Sequence, residues 1–293
     1  MNRCVVNVGW GKYYERGQQR LASSLREFDP GCELNFRSDI PPDWPAHKEK
    51  PYAFKVMSLE EASNGHDLIL WLDSSIVAIS SMEPLWERIE RDGYFLVNGS
   101  SSNYEWTADS AYADLFPGVP IENARRTNRT IPQIVGGVIG LNVQSKIGAD
   151  FLREYYRLAK DTTAFCGPWA NSNCPSRPIY DPEPYTTEEC GPSDVMGHRH
   201  DQTAASVLAW KFGMKLAEYP APYAYTTPGE GTILLHDGPG LADVEEIIGF
   251  KRNLGSWTER STADSKIACP ECSSTAVGMA GGMRRCNQCG YAW

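Results

Sequence analysis

Hydrophobic positions along the chain alternate between short continuous runs and longer segments with helical spacing. The runs predict strands at Cys4–Val8, Glu33–Phe36, Asp67–Leu72, Tyr94–Asn98, Ile134–Asn142 and Thr232–His236. The helical spacing predicts helices over 12–27, Ala53–Ser63, Glu83–Arg91, 144–160 and Asp201–Phe212. Strands that alternate with helices indicate an α/β fold with a largely parallel sheet.

Two segments depart from this alternation. Residues 162–197 contain six prolines and three cysteines, which predicts a long loop-like insertion. Residues 256–265 are polar and predict a linker. The chain is therefore expected to contain a large domain over 1–255 and a small separate unit over 266–293.

Length and charge limit the classes of function. The chain has 293 residues and a formal net charge of −9, which disfavours coating by nucleic acid but allows a local basic patch. No apolar run reaches the roughly 18 residues of a membrane span. The N-terminal apolar run is too short for a signal peptide, so we expect a cytoplasmic protein, or one in the host cytoplasm if it is viral.

Four of the nine cysteines form two CxxC pairs near the C-terminus. Cys269 and Cys272 are followed, after thirteen residues, by Cys286 and Cys289. Two such pairs place four thiolates around one tetrahedral Zn²⁺, and a unit this small needs a metal to fold. The spacing predicts a zinc ribbon with a structural Zn²⁺. Its charge of +2, with Tyr291 and Trp293, is compatible either with nucleic-acid contact or with ordinary packing.

An acidic residue follows the apolar run that ends at Leu72. Asp73 is placed where α/β sheets bind ligands, beyond the carboxyl end of a strand, and it is suited to a hard divalent cation. Ser75, two residues later, adds a hydroxyl on the same side of an extended chain. The plainer alternative is that Asp73 caps the next segment.

Further motifs follow in a set order: Gly136-Gly137 in an apolar run, His200-Asp201-Gln202 at a predicted helix start, and Leu235-His236-Asp237-Gly238. Together with Asp73, this order resembles the GT-A glycosyltransferases. It is most similar to the family 8 type, which is retaining and dependent on a nucleotide sugar. The resemblance covers roughly residues 1–250.

The resemblance implies a role for each matching position. It implies catalytic roles for Asp201, Gln202 and Lys55, and a Mn²⁺ or Mg²⁺ site at Asp73, Ser75 and His236. It places the nucleotide-sugar donor near Gly9, Trp10, Tyr13 or Tyr14, Lys55, Asp73, Ser74, Ser75, Gly136, Gly137 and His200. Ser75 departs from the family, which has a second aspartate there, and this weakens the expected metal site. The KPW sequence that the family has after its late histidine is also absent.

Two other clusters leave alternatives open. Cys166, Cys174, Cys190 and His198 suit either a second zinc site of irregular spacing or free cysteines in a loop. The basic run of Arg125, Arg126 and Arg129 suits either phosphate contacts or a solvated loop.

The resulting function hypothesis is a hexosyl- or pentosyltransferase that uses a nucleotide sugar such as a UDP-sugar. The ribbon favours a polymer acceptor: a glycan, a protein, or a hydroxymethylated pyrimidine in DNA, as in phage-type DNA modification, which requires base extrusion. The alternative is a non-catalytic GT-A-like scaffold that binds a partner or nucleic acid through the ribbon. The sequence leaves the oligomeric state open.

Overall fold

The computed structural model describes residues 1–180, 185–218, 222–225 and 228–236, together with the backbone of 277–280 and 283–286. Its contacts divide the chain into two units, Met1–Val244 and Glu245–Trp293. The predicted linker and Cys269, Cys272 and Cys289 lie outside the described residues. The domain limits 1–255 and 266–293 therefore stay predictions.

The described strands and helices of the first unit follow the predicted alternation. The strands are β1 (Arg3–Val8), β2 (Glu33–Arg37), β3 (Leu68–Leu72), β4 (Ile76–Ala78), β5 (Tyr94–Ser102), β6 (Pro132–Asn142), β7 (Ala170–Asn171), β8 (Thr187–Glu188), β9 (Tyr223–Tyr225) and β10 (Leu234–His236). The helices are α1 (Lys12–Phe28), α2 (Ala53–Ser63), α3 (Glu83–Asp92), α4 (Tyr112–Leu115), α5 (Ile121–Asn128), α6 (Lys146–Asp161) and α7 (His200–Lys211). In the second unit, β11 (Val277–Ala280) pairs antiparallel with β12 (Met283–Cys286).

Five strands form the central sheet in the order β2-β1-β3-β6-β5. β1 runs parallel to β2 and β3, whereas β6 runs antiparallel to β3 and β5. The predicted α/β fold with a central sheet and flanking helices is confirmed, but β6 departs from a fully parallel sheet. Because β6 is reversed, its first half lies beside the carboxyl end of β3. Leu72 is paired with Val138, and the Asp73 N–H donates to the Gly137 carbonyl over 3.0 Å.

The alternating side chains of β3 enter two hydrophobic cores. Ile69 and Trp71 pack on the face covered by α2, α6 and α7, while Leu68, Leu70 and Leu72 pack on the face covered by α1 and α3. Each fully buried leucine contributes about 1.5–3 kcal/mol to folding. The sheet is therefore covered on both faces, as its continuous apolar strand predicts.

A second, smaller sheet has the strand order β4-β10-β9. β10 and β4 are antiparallel, and His236 is paired with Ile76 across them. Its strands have three residues each, and only β10 falls within a predicted strand, at Thr232–His236. Runs this short show no period, which is why the sequence pattern missed β4 and β9.

The insertion of residues 162–197 is largely irregular where it is described, as predicted, apart from the short strands β7 and β8. The Asn171 side-chain amide closes the loop by donating to the carbonyl oxygens of Gly191, Pro192 and Val195. Across the described helices, none combines the length and the apolar composition that crossing a membrane requires.

Candidate functional site

Three charged side chains from separate elements meet at the carboxyl end of β3. Lys55, on the first turn of α2, places its Nζ 3.0 Å from Asp73 Oδ1 and 3.0 Å from Asp201 Oδ2. The same Nζ donates to the Gly136 carbonyl over 3.1 Å. The ammonium group thus has two carboxylates and one backbone carbonyl as neighbours. Lys55, Asp73 and Asp201 are named the charged cluster below.

Burial and mutual attraction compete in the charged cluster. Burial alone would lower the pKa of Lys55, but the carboxylates of Asp201 and Asp73 outweigh it and the pKa is raised. Burial raises the pKa of Asp201, against the opposing effect of Lys55. Lys55 is therefore a permanent cation that holds two carboxylates in place.

The two carboxylates differ in their access to solvent. The side chain of Asp73 is 33% exposed, whereas that of Asp201 is 3% exposed. Trp71 fixes the Asp73 carboxylate by donating from Nε1 to Oδ1 over 2.7 Å. Since Oδ1 is occupied by Trp71 and Lys55, Oδ2 of Asp73 is the carboxylate oxygen that remains to meet a ligand.

Two glycines of β6 leave the space in which the charged cluster packs. A Cβ on Gly136 would lie 2.4 Å from Gln202 Cγ and 3.2 Å from Asp201 Oδ2. A Cβ on Gly137 would lie 3.2 Å from Asp73 Oδ2. Gln202 donates from Nε2 to the Ile134 carbonyl over 2.9 Å, so its Oε1 is the atom of that amide that remains to accept a hydrogen bond.

Ser74 and Ser75 occupy different surroundings. Ser74 is buried and its hydroxyl donates to Asn7 Oδ1 over 3.2 Å, so it supports the loop. This burial favours a structural role for the hydroxyl, and the place of Ser74 in the donor site stays a prediction. The Ser75 carbonyl accepts from Arg20 Nη2 over 3.4 Å.

His236 shares this corner with Asp73 and Arg20. The pKa of His236 is lowered, chiefly by burial and also by the positive charge of Arg20, while Asp73 opposes the change. The late histidine that the motif order predicts is thus brought beside Asp73.

The predicted Mn²⁺ or Mg²⁺ set does not fit a tightly held cation. Hard cations prefer several oxygen ligands with negative charge. Ser75 has no charge, and the one exposed carboxylate, Asp73, is already paired with Lys55. In the part of the chain that the structure describes, no three His, Cys, Asp or Glu side chains converge on a metal position.

The predicted nucleotide-binding turn leads into an aromatic group. The Gly9 N–H donates to the Arg37 carbonyl over 2.9 Å. Trp10 packs edge-to-face on Phe54 at 4.9 Å and on His47 at 5.6 Å. Tyr14 is 50% exposed on α1. Trp10 is thus a packing residue of the site wall, and Tyr14 is the more accessible ring.

His198 and His200 have structural partners in the insertion. His198 accepts from the Ala108 N–H over 3.2 Å and donates to the Ala164 carbonyl over 3.0 Å. His200 donates from Nδ1 to the Phe165 carbonyl over 3.1 Å, which leaves buried Nε2 as an acceptor without a hydrogen-bond partner among the described residues. Burial lowers the pKa of His198 to about 4 and that of His200 well below its usual value.

These partners bear on two interpretations of the sequence. Both nitrogens of His198 are used by the backbone, which favours the alternative of free cysteines at Cys166, Cys174 and Cys190 over a second zinc site. Those three cysteines form no disulfide. His200 is fully buried and packs on Trp169 at 4.5 Å, and its place in the donor site stays a prediction.

Sequence reasoning missed Tyr52, which precedes α2. Its ring centroid is 4.7 Å from Lys55 Nζ and 5.6 Å from the Trp169 ring. Tyr52 has a φ of 62° and His200 a φ of 36°, a region that side-chain-bearing residues rarely adopt. The available signal was an aromatic residue three positions before a lysine at the start of a predicted helix.

The arginine run belongs to α5 and its C-terminal end. Arg125 pairs with Asp109 and Glu122, and Arg129 pairs with Asp194 over 2.7 Å. Arg126 donates to Asn123 Oδ1 over 2.7 Å. Because the charges of Arg125 and Arg129 are matched by acidic partners, the phosphate-binding alternative is weakened.

No family model matches the sequence, and no curated protein matches it. Among solved structures, the chain is similar to a glycosyltransferase involved in glycosylation of the major capsid of PBCV-1. The identity is 11% over 85% of this chain and 100% of that chain, with a TM-score of 0.45. Mouse xyloside xylosyltransferase 1 is 10% identical over 83% of this chain and 100% of its own, with a TM-score of 0.41.

The glycosyltransferase GlyE of Streptococcus pneumoniae TIGR4 is 15% identical over 76% of this chain and 46% of its own, with a TM-score of 0.35. These structural neighbours are all glycosyltransferases. Their identities and TM-scores are low, so the likeness does not extend to individual site residues.

Proposed function

We propose that this chain is a glycosyltransferase of the GT-A type that moves a sugar from a nucleotide-sugar donor to an acceptor hydroxyl. The observation that carries the proposal is the charged cluster. Lys55, Asp73 and Asp201 belong to distant motifs whose order resembles that family, and the fold joins them at one sheet edge. Perturbed, partly accessible ionic groups of this kind are typical of functional sites.

Each polar group has a distinct task in this proposal. Asp73 Oδ2 accepts hydrogen bonds from donor-sugar hydroxyls. Gln202 Oε1 stabilises the positive charge that develops on the sugar in an oxocarbenium-like transition state. Lys55 is buried and ion-paired with both carboxylates, so it acts as a positioning residue that fixes Asp73 and Asp201. This replaces the directly catalytic role that the sequence implied for Lys55.

The leaving nucleoside diphosphate requires positive charge nearby. Arg20 brings a guanidinium to the corner of Ser75 and His236, where the family motif would otherwise place a cation. We assign the diphosphate to this corner, with Tyr14 and the Gly9 turn towards the nucleoside. A retaining outcome and a UDP donor follow from the resemblance alone and are part of the proposal.

The acceptor is proposed to be a glycan or a glycosylated protein rather than a modified DNA base. A DNA acceptor would use α5, but Arg125 and Arg129 are paired with acidic side chains. Phosphates would have to compete with these pairs for the arginine charge.

Asp73→Asn tests the function because it removes one charge and little volume. We expect turnover of the nucleotide sugar, as transfer or hydrolysis, to fall about 100-fold or more, with the melting temperature preserved. Asp67→Asn is the matched control because Asp67 lies at the amino end of the same strand and accepts from the Asn2 N–H.

Thermal-shift measurements with UDP- and GDP-sugars come first, since a ligand of the folded state raises its stability. If no nucleotide sugar shifts the wild type, the non-catalytic scaffold replaces this proposal. Unchanged turnover in Asp73→Asn would remove the assigned role of Asp73.

We also propose that Cys269, Cys272, Cys286 and Cys289 hold one structural Zn²⁺, on the strength of their spacing. Elemental analysis should find one zinc per chain, and Cys269→Ser/Cys272→Ser should abolish it. Cys166→Ser is the matched control, since this cysteine lies outside the two pairs. A chain without zinc would overturn the ribbon.

A further inference from the structure

Three aromatic rings of the insertion form a compact group. The rings of Tyr180 and Tyr185 stack with centroids 5.0 Å apart and planes inclined by 25°. Trp169 stands edge-on to Tyr185 at 4.6 Å and to Tyr180 at 5.9 Å. Trp169, Tyr180 and Tyr185 are named the aromatic platform. Neither the charged cluster nor the packing of the sheet makes use of this stacked pair.

The aromatic platform borders the charged cluster. Trp169 contacts Tyr52 at 5.6 Å, and the Tyr52 ring lies 4.7 Å from Lys55 Nζ. Burial raises the pKa of Tyr52, and Asp201, Asp73 and the Tyr185 phenol add to the effect. The Tyr185 phenol and the two carboxylates therefore all act electrostatically on Tyr52, which lies between the aromatic platform and the charged cluster.

One polar atom of the aromatic platform lacks a partner. The Tyr180 hydroxyl is buried and makes no hydrogen bond within the described residues. A buried hydroxyl without a partner costs about 1–3 kcal/mol. Both tyrosines of the stacked pair are half-buried, so a ligand on the pair can reach this region. A ligand hydroxyl would remove the cost.

We propose that the aromatic platform is an acceptor subsite and that its occupant is a neutral sugar ring of a glycan. This assignment rests on the proposed glycosyl transfer. The C–H face of a pyranose ring packs against the negative face of an aromatic ring, while its hydroxyls meet phenols. Contacts through Trp169 and Tyr52 connect such a subsite with the charged cluster.

Local charge distinguishes a sugar from a nucleobase, which would also stack on tyrosine. The insertion of 162–197 contains one basic residue, Arg177, and five acidic residues: Asp181, Glu183, Glu188, Glu189 and Asp194. Glu188 and Glu189 are exposed, beside β7. Arg199 acts electrostatically on Tyr180, but it packs on Trp106 at 4.0 Å. An insertion with this excess of acidic residues disfavours the phosphates of a nucleic acid.

Saturation-transfer NMR on the full chain tests the occupant. The probes are maltotriose, cellotriose, chitotriose and a single-stranded oligonucleotide that contains hydroxymethylcytosine. We expect at least one saccharide to bind, and Tyr180→Ala/Tyr185→Ala to weaken it at least tenfold. Tyr180→Phe/Tyr185→Phe should keep most of the binding because it keeps the rings.

Ile179→Ala is the matched control, since Ile179 is 80% exposed on the same segment. The proposal is overturned if no saccharide binds, if the alanine double variant binds like the wild type while keeping its melting temperature, or if only the oligonucleotide binds. If the alanine double variant loses its melting transition, the single variants Tyr180→Ala and Tyr185→Ala replace it under the same criterion.

Donor binding is measured separately, by thermal shift with UDP- and GDP-sugars. Saccharide binding that needs the aromatic platform, in a chain that binds no nucleotide sugar, would overturn glycosyl transfer but leave a sugar site. Donor binding without any saccharide binding would overturn only the subsite. The two failures are thus distinguishable.

Discussion

The charged cluster contrasts with His198 and His200, because the two sets of titratable side chains are stabilised in different ways. His198 and His200 hydrogen-bond to backbone groups of Ala108, Ala164 and Phe165, and burial lowers the pKa of both. Lys55, Asp73 and Asp201 depend mainly on one another.

The contrast distinguishes buried polar side chains that support the fold from those that serve a ligand. Backbone-satisfied histidines complete the fold of the insertion at little electrostatic cost. A buried ionic group is rarely the most stable solution for a protein interior, since apolar replacements are often as stable or more so. Its presence at a sheet edge that solvent reaches through Asp73 points to use on a ligand.

Breaking the charged cluster should have the largest effect. Lys55→Met leaves two carboxylates without their shared cation, and we expect a loss of about 3–5 kcal/mol in the free energy of unfolding. Urea unfolding at pH 7 measures it. Adding Asp201→Asn should recover part of the loss, because fewer charges then repel each other. A strictly additive double variant would contradict the coupling.

The contribution of His198 to the free energy of unfolding depends on pH. The pKa of His198 is about 4 in the fold, below its ordinary value of 6.5. Between these values the unfolded chain binds the extra proton, so stability falls as the pH falls. The slope should be at most about 1.4 kcal/mol per pH unit for this residue. Urea unfolding at pH 7, 6 and 5 measures the slope.

His66 supplies the control for that slope. Burial lowers its pKa, but the hydrogen bond to Glu33 outweighs this, so the pKa is raised. Its contribution is present at low pH and is lost as the pH rises through the folded value. His198→Gln should flatten the slope and His66→Gln should not. An unchanged slope in His198→Gln would show that His198 does not titrate as described.

The close approach of Gly136 to Gln202 can be tested by adding one methyl group at position 136. Gly136→Ala places a Cβ 2.4 Å from Gln202 Cγ, which displaces the amide. If Gln202 supports transfer, turnover should fall about tenfold, equivalent to about 1.4 kcal/mol. Gly65→Ala is the matched control, because its added Cβ meets nothing within 4 Å. Full activity in Gly136→Ala would exclude the proposed role of Gln202.

The smallest expected effect concerns metal. Because Lys55 already pairs with Asp73, we expect a chelator to change wild-type transfer less than twofold. Ser75→Asp restores the second carboxylate of the family motif and should make transfer increase with added Mn²⁺. Ser81→Asp, remote from the site, is the control. If the wild type loses activity on chelation and regains it with Mn²⁺ alone, Asp73, Ser75 and His236 do form a working cation site, contrary to the conclusion above.

The sequence predicted the strands of the central sheet well because each buried strand is a continuous apolar run. It also indicated that Asp73 follows such a run, which placed it at the ligand edge. It could not show the reversal of β6, since strand direction depends on the connections of the chain.

The pairing of Lys55 with Asp73 and Asp201 was equally hidden, because it joins residues far apart in sequence. The aromatic platform was missed for another reason. Trp169, Tyr180 and Tyr185 lie in a proline-rich segment that has no period to read. The sequence left the second zinc site open beside free cysteines, because spacing cannot reveal that backbone groups already occupy both nitrogens of His198.

The positive φ of Tyr52 sets the backbone and the ring of this residue against each other. Glycine would adopt that backbone conformation without the penalty of about 1–2 kcal/mol that other residues carry. Glycine would also remove the ring between Lys55 and Trp169, and deletion of a packed aromatic ring costs about 3–5 kcal/mol. The packing of the ring therefore holds the strained backbone in place, and laboratory evolution for heat resistance should retain an aromatic residue at position 52.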